Sequence, residues 1–111
     1  MALNRKKFID LFIGNASNAI LHKILEKAVE DEIIRKYYDK EFLNSFELAK
    51  KYREKINPIS SNLPEYSEIK ERIMKKVNNE LKIRISKGYK NIDLNLVESA
   101  TDGILSQLRV S

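Results

Sequence analysis

The chain has 111 residues, 42% of them hydrophobic and 33% charged, with a formal net charge of +5. That length can enclose a core without staples, and the absence of cysteine excludes disulfides, zinc–thiolate sites, iron–sulfur clusters and thiol catalysis. No apolar run approaches the ~20 residues of a bilayer span, and Asp10 interrupts the short apolar stretch after Arg5, Lys6 and Lys7, so the expectation is one domain over residues 1–111, cytoplasmic and without a membrane partner.

Only 3 Gly and 2 Pro punctuate the chain, so its elements should be long. A first helix is expected from Asn4, as N-cap, to Ile13, with Gly14 and Asn15 ending it. Phe8, Ile9, Leu11, Phe12 and Ile13 nearly encircle it, as in a helix packed deeply or against another chain. A second helix starts near Ser17, with Ile20, Leu21, Ile24, Leu25 and Ala28 on one face. At ~100° per residue, Asp31 and Glu32 fall on that same face, so the apolar register breaks there. It resumes at Tyr38, Phe42, Phe46, Ala49 and Ile56.

Two structures fit residues 17–56. One is a single helix of roughly forty residues, ~60 Å long. The other is two helices meeting near Asp39 or Asn44, where Asn44 and Glu47 stand at capping-box spacing. A domain of this size is only ~30 Å across, which favours two helices. The turn formers from Asn57 to Pro64 predict a loop. A further helix is expected from Glu65 to Lys87, with Tyr66, Ile69, Ile73, Val77, Leu81 and Ile85 as its stripe and Gly88 as its C′ residue. Asp93 is expected to cap a last helix whose face is Val97, Ala100, Ile104, Leu105 and Leu108. The fold class is therefore all-α, a compact bundle of four to five helices.

The functional signal is basic. Between Glu65 and Lys90 stand eight bases and four acids. Cationic side chains near phosphates release counterions, which is how such a segment would hold RNA or DNA. Tyr66 and Tyr89 flank it and are suited to stacking on bases. Against this, Glu68 precedes Arg72 by four residues and Glu71 precedes Lys75 by four, the favourable order for surface pairs on one helix. Lys76, Lys82, Lys87 and Lys90 remain unmatched. Together with Lys50, Lys51 and Arg53 they are the candidate nucleic-acid-binding residues.

Other chemistries lack a foundation. His22, Glu26 and Glu30 share one side of a helix, but helical metal sites need a second histidine or a donor from another helix. Glu30, Asp31 and Glu32 are read as a change of packing partner, since buried carboxylates need partners and Arg35 is four residues from Asp31. Nucleotide-binding glycine loops and the G-x-S-x-G elbow are missing, and one histidine makes a Ser–His–Asp triad improbable. Two acids against one arginine on the exposed side of the last helix argue against a helix-turn-helix reader. The expectation is thus a non-catalytic module with no cofactor and no metal, contacting RNA or DNA through phosphates. The competing reading is a homo-oligomeric interaction protein with no nucleic-acid role, suggested by the wide apolar stripes.

Overall fold

A computed structural model describes the backbone of residues 2–56 and 64–109 and the side chains of 5–56 and 65–109. Four helices make up the described residues: α1 (Ala2–Ala28), α2 (Glu32–Glu54), α3 (Pro64–Ser86) and α4 (Leu96–Gln107). The fold class is all-α, as the periodicities predict. Of the loop expected from Asn57 to Pro64, residues 57–63 lie outside the described residues and Pro64 opens α3.

The first two expected helices are one. α1 runs 27 residues straight through Gly14 and Asn15. Glycine inside a helix costs only about 1 kcal/mol relative to alanine, and the apolar register does not break there. Phe12, Ala16 and Ile20, then Ile24, continue one face, and Ile13, Leu21 and Leu25 widen it. The Asn15 amide, expected to end the helix, instead donates back to the Leu11 carbonyl at 2.9 Å. Asn4 lies within α1 and is not its cap.

The break falls at residues 29–31, earlier than Asp39 or Asn44. Asp31 is the N-cap of α2, its Oδ1 accepting from the backbone N–H of Ile33 at 2.8 Å and of Ile34 at 3.1 Å. Of the acidic trio that disturbs the register, Glu30 and Asp31 lie in the turn and Glu32 opens α2, and all three residues are exposed. Arg35 does not pair with Asp31; its Nη2 reaches the Val29 carbonyl at 2.9 Å and its Nη1 lies 3.8 Å from Glu32.

Chain direction follows from side-chain partners. Phe8 stacks on Tyr52, His22 meets Tyr38 and Lys23 caps the Phe42 ring, so α2 runs antiparallel to α1. Arg5 pairs with Glu65 and Asp10 with Arg72, so α3 runs parallel to α1. α1 is the central element and packs on the other three; α4 also packs on α3, while among the described helices α2 packs on α1 alone. Phe12, Ile20, Leu25, Ile69, Ile73, Leu81 and Leu105 are the largest buried side chains of the shared core. At about 25 cal/mol per Å² of apolar surface, such side chains are worth about 1.5–3 kcal/mol each. Ile85, expected in the α3 stripe, is 41% exposed.

α3 ends as the sequence predicts. Gly88 has φ +99°, the Gly88 N–H donates to Ile85 and the Tyr89 N–H to Arg84, the paired bonds of a Schellman motif. Asp93 acts one turn early: its Oδ1 accepts from the Asn95 N–H at 2.9 Å, and α4 begins only at Leu96 with Asn95 in the cap position. Thr101, fully buried in α4, satisfies its hydroxyl on the Val97 carbonyl at 2.7 Å.

Candidate functional site

Residues 72–90, the second half of α3 and the turn after it, hold seven bases and one acid; the other fourteen bases stand against fifteen acids. The whole positive excess of the chain therefore sits in this segment. Ile73, Val77 and Leu81 are buried and fix which side of α3 faces the core. At ~100° per residue, Lys75 and Lys82 then lie close together on the outer side, Lys76 and Lys87 lie together some 120° further round, and Asn79 lies between the two pairs. From Arg72 to Lys87 this surface runs about 22 Å along the axis. Arg72, Lys75, Lys76 and Asn79 line a shallow depression of about 340 Å³.

The pairings on α3 are not the expected ones. Arg72 turns from Glu68 to Asp10 of α1, at 3.1 Å. Lys70 bridges to α4, 2.9 Å from Asp102 and 3.1 Å from Glu98, and those hydrogen bonds raise its pKa. Arg84 pairs with Glu80 at 3.2 Å. Among the described residues Lys75, Lys76, Lys82, Lys87 and Lys90 have no acid within ion-pair distance, and all five are exposed. The i,i+4 rule sees one helix only, so it assigned Arg72 and Lys75 to neighbours on α3. Lys75 thereby joins the candidates that the sequence left unmatched.

Lys50, Lys51 and Arg53 are elsewhere. They stand on α2, and α2 and α3 do not pack on each other among the described residues. Lys50 and Arg53 line a recess of about 480 Å³ with Ile56, Leu108 and Arg109, while Lys51 points off at ~100° from Lys50. Arg53 is committed to structure: its Nη2 donates to the Arg109 carbonyl at 2.7 Å and its Nη1 to Ile56 at 3.3 Å. Burial, and then the charge of Arg5, lower its pKa. Its guanidinium ties the end of α2 to the chain leaving α4. The basic residues at the end of α2 thus do not extend the α3 surface.

His22 is half-buried against Tyr38, ring centroids 6.0 Å apart. Glu26 turns to Lys23 at 3.7 Å. No three His, Asp or Glu side chains converge as a metal would require among the described residues. Burial lowers the His22 pKa, opposed by the Asn18 backbone and the charge of Glu41. No helix among the described residues is long and apolar enough to cross a membrane.

No family model, curated protein or solved structure matches this chain.

Proposed function

We propose that the chain is a small, non-catalytic, all-α module that binds the phosphate backbone of RNA or DNA through the outer side of α3. The concentration of the entire charge excess in residues 72–90 supports this reading. Lys75, Lys76, Lys82, Lys87 and Lys90 are its phosphate contacts. Unpaired ammonium groups on one side of a rigid helix contribute affinity with little sequence preference, since phosphates carry no base identity. The absence of cysteine suits a cytoplasmic setting.

The test is fluorescence anisotropy of labelled nucleic acid at several salt concentrations. Five phosphate contacts give a slope of log K against log salt of about −3.5 on single strands and −4.5 on duplex DNA. On a single strand that is roughly a 130-fold loss of affinity between 50 and 200 mM salt. K76Q/K82Q should flatten the slope by about 1.4. No binding at low salt, or a slope that the substitutions leave unchanged, overturns the proposal.

A second reading is favoured by α2. Leu43 is 52% and Leu48 44% exposed on the two flanks of the α2 face that packs on α1, apolar side chains open to a second copy of the chain. Light scattering decides it: a particle of 13.0 kDa at high concentration removes this reading.

A further inference from the structure

Six of the eight large hydrophobic side chains exposed among the described residues lie at two helix ends: Ile33, Ile34 and Tyr37 at the start of α2, and Ile83, Ile85 and Tyr89 at the end of α3. The fold brings these ends together. α2 sets out from the end of α1, where Tyr38 meets His22, and α3, in step with α1 through Asp10 and Arg72 and parallel to it, finishes at that same end; Tyr37 stands edge-on to Tyr38, centroids 5.7 Å apart. Tyr37 and Tyr89 are 57% and 44% exposed, so neither is used up by the core. Lys87 and Lys90 bracket Tyr89 in the chain, and Lys82 precedes it by seven residues.

Exposed aromatic rings set among unpaired lysines fit one class of ligand better than another. Lysine is depleted in protein–protein interfaces, where its desolvation is costly. A nucleic-acid strand supplies both complements at once: phosphates for the ammonium groups and flat base faces for the rings. A duplex cannot use the rings, because its bases are already stacked on one another.

We propose that this end of the bundle is a stacking platform for unpaired bases, so that the favoured ligand is single-stranded nucleic acid. Tyr37 and Tyr89 stack on bases while Lys87 and Lys90 hold the flanking phosphates. The inference rests on the phosphate-binding reading of α3 and adds the strandedness of the ligand and two further contact residues.

The test compares three probes of equal length and label: oligothymidine, an abasic oligomer with the same phosphates, and a duplex. Oligothymidine should bind the unaltered protein about 10-fold more tightly per stacked base than the abasic oligomer. Y37L/Y89L keeps apolar bulk but removes the aromatic faces. It should bind oligothymidine and the abasic oligomer equally, with the salt slope of the unaltered protein. Equal, steeply salt-dependent binding of both oligomers by the unaltered protein overturns the platform and leaves the phosphate surface standing. Failure to bind any probe overturns both. The comparison on the unaltered protein needs no substitution, so a misfolded variant does not remove the test.

Discussion

Replacing Asp31 with alanine separates an acidic binding site from a helix cap. One carboxylate oxygen holds two backbone N–H groups at the start of α2, 2.8 and 3.1 Å away. These are among the donors that no helix can satisfy within itself. Alanine leaves them to water, at a cost of about 1 kcal/mol. Unfolding entropy of about 2.1 cal/mol/K per residue, applied to the full chain, converts that to a fall in Tm of roughly 4 °C. Asparagine keeps an acceptor oxygen in the same place and ranks with aspartate as a cap, so Asp31→Asn should stay within about 0.5 kcal/mol of the parent. Thermal melts followed by far-UV circular dichroism read both variants. Should asparagine destabilise as much as alanine, the negative charge matters and the cap does not. Should alanine be neutral, the two hydrogen bonds contribute nothing and the account of the turn is wrong.

A Cβ added at Gly14 meets nothing nearer than the Lys76 Nζ at 4.0 Å, so Gly14→Ala should raise stability by about 0.5–1 kcal/mol in a denaturant titration. Gly88→Ala, at φ +99°, should lower it by about 1 kcal/mol or more in the same assay. Leu25, fully buried in α1, should cost about 2–5 kcal/mol when cut to alanine, whereas Leu43→Ala should stay within about 0.5 kcal/mol. The pKa of His22 is lowered from 6.5, so below that pH the unfolded chain takes up a proton that the folded chain refuses. Its contribution is complete above pH 6.5 and declines as the pH falls through the window beneath. His22→Asn should remove that decline from stability measured between neutral and mildly acidic pH.

The apolar periodicity made the fold class and the later helices legible. The stripe Ile69, Ile73, Val77 and Leu81 is buried as its spacing predicts, and Gly88 ends α3 in the left-handed conformation it was chosen for. Local punctuation misled at Gly14 and Asn15, because a continuous buried face outweighs the cost of one glycine. It misled again at Asp39 and Asn44, whose polar side chains face outward on an unbroken α2. The true break was visible as Asp31 in an apolar register, yet periodicity alone could not tell a buried acid from a capping one. At the candidate site the lysines were readable from sequence, but their partners were not. Asp10, Glu98 and Asp102 come from other helices, so which cations remain unpaired depends on packing that no spacing rule contains. The exposed tyrosines show the same limit, since Tyr37 and Tyr89 are brought to one end of the bundle by the reversal at residues 29–31 and by the parallel course of α3.

Apart from the Arg53 tie to the Arg109 carbonyl, α2 packs on α1 alone among the described helices, and this divides the molecule by how it opens. Detaching α2 need not separate α1, α3 and α4, which share the remaining core. Amides of α2 should therefore exchange with deuterium through a partial opening that falls short of global unfolding, while those in the middle of α1 wait for the whole structure to come apart. The hairpin of α1 and α2 joins residues close in sequence, so it can form early, with α3 and α4 docking later on its exposed side.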